Sequence, residues 1–326
     1  MKIAIVGPGA IGGWIAVLLA QAGEDVCAFA HGETLAAIKR DGLKLTLDGN
    51  TIAVPMRASD KASDLGKQDL VIVAVKGPAM TQVAPAVAAM LGPDTIVLPA
   101  MNGVPWWFTH GLAGDASNMP LRSVDPGGAI AEAIPMRHVI GCVVHASASS
   151  AGPGHAVHTA RKRLIIGEPS GAMSERLARI AAVLAHAGFD TDQSPTIRQD
   201  IWYKLWGNMT MNPISALTRA TMDKITSDPL VAAFATAVMN EAKEVGRQIG
   251  CPIAESTEDR MNVSRKLGAI KTSMLQDVEA GRALEIDALL AAPREIAGKI
   301  GVATPNMNAL HGLVRLMAAN AVSHKT

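Results

Sequence analysis

The sequence has few aromatic residues, few cysteines and almost no net charge. Aromatic residues make up 3% of the 326 residues, and the three cysteines (Cys27, Cys142 and Cys251) are far apart. An odd, scattered set gives neither a disulfide framework nor zinc-ligand spacing, so we expect buried thiols in a reducing compartment. A formal net charge of +1 gives no electrostatic reason to expect a nucleic-acid or membrane partner.

Long uninterrupted apolar runs are also missing. The N-terminus MKIAIVGPGAIGGWIAVLLA is apolar enough to imitate a signal peptide or an anchor, but four glycines interrupt it and no convincing cleavage site follows. No run reaches the ~18 residues of a membrane-spanning helix without a glycine. We therefore expect a cytoplasmic protein. Its 49% hydrophobic residues exclude a disordered chain, and its length suggests two domains.

The first thirty residues have the pattern of a dinucleotide-binding unit. A β-branched run, KIAIVG, leads directly into GPGAIG, and an apolar helix and a second strand, DVCAFAH, follow. In this G-x-G-x-x-G spacing Gly7 permits a tight turn, Gly9 lets the backbone approach a pyrophosphate, and Gly12 lets the helix pack on the strand. The context of strand, turn, helix and strand predicts a Rossmann-type fold.

The end of the second strand bears on the choice of cofactor. An acidic residue there would hold the ribose 2′-hydroxyl of NAD, whereas a basic residue nearby would accept the 2′-phosphate of NADP. The residue at this point is His31, which is not acidic and favours NADP. Glu33 lies close by and offers a carboxylate to a 2′-hydroxyl, so NAD is the second option.

Two later strand-like runs end in polar residues. DLVIVAV is followed by Lys76, and TIVLPA leads to Asn102. LKLTL is an earlier strand-like run. Ligands of open α/β sheets bind at the carboxyl ends of strands, so both residues are candidate cofactor neighbours. The alternatives are a solvated loop lysine and an amide that holds its own Asn-Gly turn. Three histidines in later strands (His145, His155 and His158) have no acidic partners that would complete a ligand set, so we expect no metal.

The second half of the sequence is helical. Long periodic segments start near Ser194, among them one that is kinked or ended at Pro213 and one with Asp228 as N-cap and Gly250 as stop. The predicted class is α/β, an N-terminal Rossmann-type doubly wound sheet followed by an all-helical C-terminal domain. We assign residues 1–195 to dinucleotide binding and residues 196–326 to a helical substrate or dimerisation domain.

One helical segment, KLWGNMTMN, carries an unusual polar row. Lys204, Asn208 and Asn212 follow one another at four-residue spacing, so they share one face of a helix. A cation with two amides among Leu, Trp and Met suits the lining of a binding site. The alternatives are a surface lysine whose stem covers apolar neighbours, and asparagines that bond to a neighbouring helix.

These motifs together resemble one family. GPGAIG, Lys76, MNGV with Asn102, the Lys204–Asn208–Asn212 row, and SMLQDVEAGRALEID with Ser273 and Glu285 follow in the order found in ketopantoate reductase (2-dehydropantoate 2-reductase). The resemblance covers essentially the whole chain. It implies the reduction of 2-dehydropantoate to pantoate, a step of the pantothenate pathway, with NADPH as cofactor and NAD less favoured.

The resemblance also implies roles for individual residues. Lys204 would donate the proton, beside Glu285, which would also contact cofactor or substrate. Ser147 would contact the cofactor, Lys76 its adenosine end, and Asn102 both nicotinamide ribose and substrate. The substrate, a small 2-oxo acid, would also be held by Asn208, Asn212 and Ser273. The cofactor diphosphate would be bound by Gly7, Pro8, Gly9, Ala10, Ile11 and Gly12. No metal is implied, and a homodimer is compatible with the resemblance.

The sequence departs from the family pattern at several points. His31 replaces an arginine that often binds the 2′-phosphate, Met222 replaces a substrate-binding asparagine, and Ser147 replaces a frequent alanine. The segment after Asn102 is bulky, with Trp106, Trp107 and Phe108, which could wall the substrate pocket, pack internally or contact a second subunit. Two other functions therefore stay open: reduction of another 2-oxo or β-hydroxy acid, and an NAD(P)-binding regulatory protein without turnover.

Overall fold

The computed structural model describes residues 1–323, which form two compact units. The first unit is made of Met1–Met101 and Gly128–Ile197. The second unit is made of Asn102–Gly127 and the chain from Arg198 onward. A segment of 26 residues, Asn102–Gly127, is therefore inserted between two parts of the first unit while it belongs to the second.

The first unit contains ten strands in two sheets. They are β1 (Lys2–Val6), β2 (Asp25–Phe29), β3 (Leu43–Leu47), β4 (Asn50–Val54), β5 (Arg57–Ser59), β6 (Gln68–Val73), β7 (Leu91–Pro99), β8 (Gly141–Gly152), β9 (His155–Gly167) and β10 (Asp190–Gln193). The first sheet has the order β5-β2-β1-β6-β7, and all its pairs are parallel. This arrangement confirms the predicted Rossmann-type sheet.

Strand β1 lies in the middle of the first sheet, where the strand order reverses. The chain moves outward from β1 through β2 to β5, then returns to the other side of β1 as β6 and β7. Residues Ile3, Ala4, Ile5 and Val6 are all fully buried, as the continuous apolar run predicts for a strand covered on both faces. In such sheets the carboxyl end of the strand at the reversal is the ligand-binding edge.

The second sheet is built around β9. This strand pairs antiparallel with β8 along a long hairpin and parallel with both β3 and β10. The sequence analysis predicted LKLTL as a strand without assigning its partners. It is β3, and it pairs with β4 and β9 in this second sheet.

Helix α1 packs against strands of both sheets. It is apolar on every side, with Trp14, Ile15, Val17 and Leu19 all buried, and a helix with no polar face needs cover all round. This position explains why the N-terminus resembles a membrane segment in sequence. The helices of the first unit are α1 (Ala10–Gln21), α2 (Gly32–Asp41), α3 (Ala62–Leu65), α4 (Met80–Met90), α5 (Ala129–Ala133) and α6 (Glu175–His186), with 3₁₀ turns at Gly77–Ala79 and Met136–His138.

The second unit is helical, as predicted. Its helices are α7 (Ile197–Thr218), α8 (Met222–Ser227), α9 (Pro229–Gln248), α10 (Thr257–Lys266), α11 (Ser273–Glu279), α12 (Ala292–Lys299) and α13 (Pro305–Ser323), with a 3₁₀ turn at Gly114–Ala116 and another at Pro126–Gly128, where the two units join. Helix α7 continues through Pro213 to Thr218, so it does not end at the proline. Asp228 caps α9 by accepting from the backbone N–H groups of Leu230 and Val231.

One turn of π-helix, Asp287–Ala291, precedes α12. The backbone N–H of Ala292 bonds the carbonyl of Asp287, five residues earlier, instead of the carbonyl four residues earlier that an α-helix would use. Turns of this kind are rare and occur frequently at functional sites.

All three cysteines are buried thiols, as the sequence predicts. Burial raises the pKa of the Cys251 thiol to about 12, so that thiol stays protonated and packs as an apolar group. Within residues 1–323, no helix is both long and apolar enough to cross a bilayer.

Candidate functional site

The glycine turn lies at the carboxyl end of β1 and owes its shape to two steric requirements. Gly7 has a φ of +84°, and a Cβ atom there would lie 2.6 Å from Val75 Cγ1. A Cβ atom at Gly12 would collide with the carbonyl oxygen of Gly7. Larger residues at either position would push α1 away from the strand, so both glycines allow the helix to begin close to the end of β1.

The same turn fits a diphosphate. Gly9 is exposed, and a Cβ atom there would meet nothing within 4 Å, so the backbone is open on that side. Gly9 is also the N-cap of α1, and no side chain caps the helix. The first backbone N–H groups of the helix, at Ala10, Ile11 and Gly12, point in the direction that favours an anion at a helix N-terminus. Pro8 is buried beneath the turn.

His31 and Lys76 lie at the same edge of the sheet as the glycine turn. Strands β2 and β6 flank β1 and run parallel to it, so their carboxyl ends meet at that edge. His31 is the exposed N-cap of α2, with its ring edge against Phe29, and Glu33 is in the first turn of that helix. Lys76 precedes the 3₁₀ turn that follows β6. The first unit thus brings three predicted cofactor positions to one edge.

Ser147 lies elsewhere in the first unit, on β8 of the second sheet. It is exposed and marks a register shift in the β8–β9 hairpin. The hydroxyl of Thr159 donates to its Oγ at 2.9 Å and to its carbonyl oxygen at 3.1 Å. Irregular pairing of this kind re-aims a side chain.

The second unit gathers a cation, an amide and a carboxylate from three distant stretches of sequence. Lys204 Nζ donates to Asn102 Oδ1 at 2.7 Å, and Asn102 Nδ2 donates to Glu285 Oε2 at 3.4 Å. All three residues are partly buried. The resemblance implies that Lys204 lies beside Glu285, and in the structure Asn102 lies between them as a bridge. The Asn102 amide thus contacts both charged groups, and these two hydrogen bonds fix its orientation.

The turn that carries Asn102 rests on the π-helical turn beside Glu285. Gly103 has a φ of +83°, and a Cβ atom there would lie 2.6 Å from both Cβ and O of Ala288. The next backbone N–H, that of Val104, donates to the carbonyl of Ala288 at 2.9 Å. The sequence signals only the Asn-Gly turn. It holds no local sign of Ala288, and the sequence analysis missed this contact.

The far end of the polar row on α7 reaches α11. Asn212 is 6% exposed, and its Nδ2 donates to Ser273 Oγ at 3.3 Å. Ser273 is exposed at the start of α11, and its predecessor Thr272 caps the helix by accepting from Leu275 N–H. Asn208 is partly buried one helical turn from each end of the row. Lys204, Asn208, Asn212 and Ser273 therefore form one polar line.

Tyr203, the chain's single tyrosine, offers another acidic proton on α7. Its hydroxyl donates to Glu255, and Arg260 lies over its ring at 5.2 Å. Burial, and secondly the bond to Glu255, raise the pKa of this phenol. The phenolic proton of Tyr203 is therefore engaged by the Glu255 carboxylate.

The bulky segment after Asn102 packs inside the second unit. Trp106, Trp107 and Phe108 are all buried, and Phe108 stacks at a tilt 5.8 Å from Trp202. Arg198 lies 5.8 Å from the Trp107 ring and donates from Nε to the carbonyl of Phe108 at 2.8 Å. Internal packing is thus a role of these side chains.

The three histidines of the later strands each lie against other residues of the first unit. His155 Nε2 lies 2.8 Å from Thr46 Oγ1, and His158 stacks on Trp14 with its Nε2 near the Arg161 carbonyl. His145 pairs across the hairpin with Arg163. In the described part of the chain, no three His, Cys, Asp or Glu side chains come together in a metal-ligand group.

Two family profiles match the chain. Residues 3–110 match the profile described as ketopantoate reductase PanE/ApbA, and residues 196–318 match the one described as ketopantoate reductase PanE/ApbA C terminal. A curated relative, the 2-dehydropantoate 2-reductase of Mesorhizobium japonicum, is 42% identical over 319 residues, which are 98% of each chain.

Solved structures share the fold. A crystal structure from Ralstonia solanacearum MolK2 superimposes with a TM-score of 0.95 at 53% identity and 98% coverage of both chains. A D-mandelate dehydrogenase, solved with NADH and anilino(oxo)acetate, gives a TM-score of 0.84 at 22% identity, with 98% of this chain and 99% of that chain covered. The second likeness bears on the fold alone.

Proposed function

Since this chain belongs to the ketopantoate reductase family, we propose that it reduces 2-dehydropantoate to pantoate with NADPH, using Lys204 as the proton donor. The reaction would be a step of the pantothenate pathway. The observation that carries the proposal is the bridge from Lys204 Nζ through the Asn102 amide to Glu285. It supplies a held cation together with groups that orient a substrate.

The cofactor position is supported by the glycine turn of the first unit. Its open backbone at Gly9 and uncapped helix would hold the diphosphate, with Lys76 and His31 at the same edge. A bound reduced nicotinamide supplies the hydride that a ketone needs. NADPH is preferred over NADH because His31 is not acidic, although Glu33 would suit a free 2′-hydroxyl.

Lys204 suits the role of general acid. Negative charge develops on the carbonyl oxygen as the carbonyl carbon is reduced, and an ammonium group within hydrogen-bond reach stabilises that charge and then gives up a proton to it. Glu285 places a carboxylate on the other side of the same amide, so a negative charge lies near the ammonium group. Asn102 presents one oxygen to the ammonium, so the donor is held in place before substrate arrives.

Substrate recognition is assigned to the polar line of the second unit. Asn208, Asn212 and Ser273 would bind the carboxylate and hydroxyl groups of the 2-oxo acid through neutral hydrogen bonds. Because these protein groups are uncharged, they do not compete with the reacting oxygen for the positive charge of Lys204. The Asn212–Ser273 bond indicates that both side chains already face one point.

The test is to mix purified protein with NADPH and 2-dehydropantoate and to follow absorbance at the nicotinamide band. We expect rapid oxidation with NADPH, slower oxidation with NADH, and a loss of about 10²–10⁴-fold in kcat for Lys204→Ala. The matched control is Lys299→Ala, which removes an exposed lysine in the same unit and should leave kcat unchanged.

Other outcomes separate the alternatives. Full activity of Lys204→Ala would refute the lysine as proton donor. Tight NADPH binding, with no NADPH oxidation by a panel of 2-oxo acids and no NADP⁺ reduction by a panel of β-hydroxy acids, would refute the enzyme and favour an NAD(P)-binding regulatory protein.

A second substrate is favoured by one observation. Met222, at a position where the family can carry a substrate-binding asparagine, is 5% exposed at the start of α8. A buried thioether cannot replace the hydrogen bonds of an amide. Reduction of another branched 2-oxo acid is therefore the second candidate, and a higher kcat/KM with such an acid than with 2-dehydropantoate would establish it.

The helical unit is also proposed as the surface for a homodimer, which the resemblance allows. Sedimentation at several concentrations would test it, and a constant monomer mass would refute it.

A further inference from the structure

We propose that the π-helical turn Asp287–Ala291 is a positioning device for Asn102, created by Pro293 and completed by Gly103. The inference rests on the proposed function, in which Asn102 holds Lys204. In short, a carbonyl group that the helix leaves without a donor anchors the turn that orients the catalytic amide.

The carbonyl of Ala288 accepts its hydrogen bond from outside the helix. In an α-helix it would accept from the N–H of Ala292, but that N–H bonds Asp287 instead. In a π-helix it would accept from residue 293, which is proline and has no N–H. The two usual intrahelical donors are thus diverted or missing. A buried carbonyl needs a donor, and Val104 N–H provides one at 2.9 Å.

The second step concerns how the turn can approach so closely. Ala288 is 5% exposed, and Gly103 lies directly against it. A Cβ atom at Gly103 would be 2.6 Å from Ala288 O and 2.7 Å from Ala288 C, so any side chain there would force main chain apart. The positive φ of Gly103 excludes larger residues a second time.

The third step connects this contact to the chemistry. Asn102 is adjacent to Gly103, and Glu285 is three residues before Ala288. The same contact therefore sets the distance between the amide and the carboxylate, now 3.4 Å, and the point at which the amide meets Lys204. Gly103, Ala288 and Pro293 carry no polar side-chain atom that could exchange a proton or hold a 2-oxo acid, so they act as positioning residues.

The first experiment compares Gly103→Ala with Gly111→Ala. Gly111 is in the same unit with a φ of +73°, but a Cβ atom there meets nothing within 4 Å. Both variants carry the strain of a positive φ, and only the first has the collision. We expect kcat of Gly103→Ala to fall about 10²-fold, the size of effect that a displacement near 1 Å can produce, and kcat of Gly111→Ala to stay close to wild type.

A double-mutant cycle with Asn102→Ala separates positioning from general damage. If Gly103 acts through Asn102, then Gly103→Ala adds little to the loss already caused by Asn102→Ala. Independent losses that multiply, or equal kcat values for Gly103→Ala and Gly111→Ala, would overturn the proposal. Thermal unfolding of each variant shows which of them fold.

Pro293→Ala tests the origin of the anchor without a collision. The new N–H can bond Ala288 in the π-helical pattern and compete with Val104. We expect faster hydrogen exchange at the Val104 amide and a lower kcat. The control is Pro229→Ala, because Pro229 is the first residue of α9, where no intrahelical partner is needed.

The exchange measurement does not depend on catalysis. A Val104 amide that exchanges freely in the wild-type protein would overturn the anchor, whatever the activity. A wild-type protein that reduces no 2-oxo acid but protects Val104 would instead refute the proposed function and leave the anchor standing.

Discussion

The two units of this chain offer candidate sites made of different material. The glycine turn of the first unit presents main chain, with Gly9 open and α1 uncapped by any side chain. The second unit presents side chains, an ammonium, amides and a carboxylate that bond to each other. A main-chain site accepts any ligand with the right phosphate geometry, whereas a side-chain site selects by chemistry.

The difference also concerns how each site is held. The glycine turn is fixed by its own main chain, Gly12 against Gly7, and by the end of the adjacent strand at Val75. The polar cluster joins residues separated by 102 and 183 positions in the sequence. Substitutions in the first site should therefore change cofactor affinity, and those in the second should change turnover and substrate affinity. The predictions below test that separation.

Of the variants that test this separation, Gly9→Ala is expected to show the largest effect, on cofactor binding alone. The new methyl group meets no protein atom, so the fold should keep its unfolding temperature. It would occupy the space that a diphosphate needs, and we expect the Kd for NADPH to rise about tenfold or more, that is by at least ~1.4 kcal/mol. Fluorescence titration measures it. Gly92→Ala is the control, since its methyl group would make only an ordinary contact with Thr95.

The next effect divides two adjacent residues of the second unit. Ser273→Ala removes a partner of Asn212, and we expect the KM for the 2-oxo acid to rise roughly tenfold. Thr272→Ala removes the N-cap of α11, which should cost ~1 kcal/mol of unfolding free energy and leave KM near wild type. Steady-state kinetics and urea unfolding provide the two readouts. Equal changes in both variants would contradict the assignment of Ser273 to substrate.

The smallest effect is expected for His31→Arg. A guanidinium at the N-cap of α2 would pair with a 2′-phosphate, so the ratio of kcat/KM for NADPH to that for NADH should rise by roughly threefold to tenfold. His186→Arg, at the exposed end of α6, is the control. A lower ratio would contradict the assignment and indicate that another residue contacts the 2′ group of the cofactor.

The sequence was enough to predict the glycine turn and the α7 row, since both depend on local spacing. It was also enough for the parallel sheet, because apolar runs alternate with helices. The bridge from Asn102 to Lys204 and Glu285 could be anticipated only through the resemblance, since no local pattern links positions so far apart. That β3 belongs to the second sheet could not be predicted for the same reason. Lys44 of β3 pairs with His155 of β9, which follows all strands of the first sheet in the sequence.

The inserted segment Asn102–Gly127 has a consequence for the order of synthesis. On a ribosome it emerges long before its partners. The hydrogen bond between the Phe108 carbonyl and Arg198 requires a residue made 90 positions later. The hydrogen bond between the Ser123 hydroxyl and Glu295 requires one made 172 positions later. Until then two tryptophans and a phenylalanine have no cover, which is the condition in which nascent chains associate wrongly. Slow synthesis of the C-terminal half would therefore lengthen the time during which these aromatic side chains are exposed.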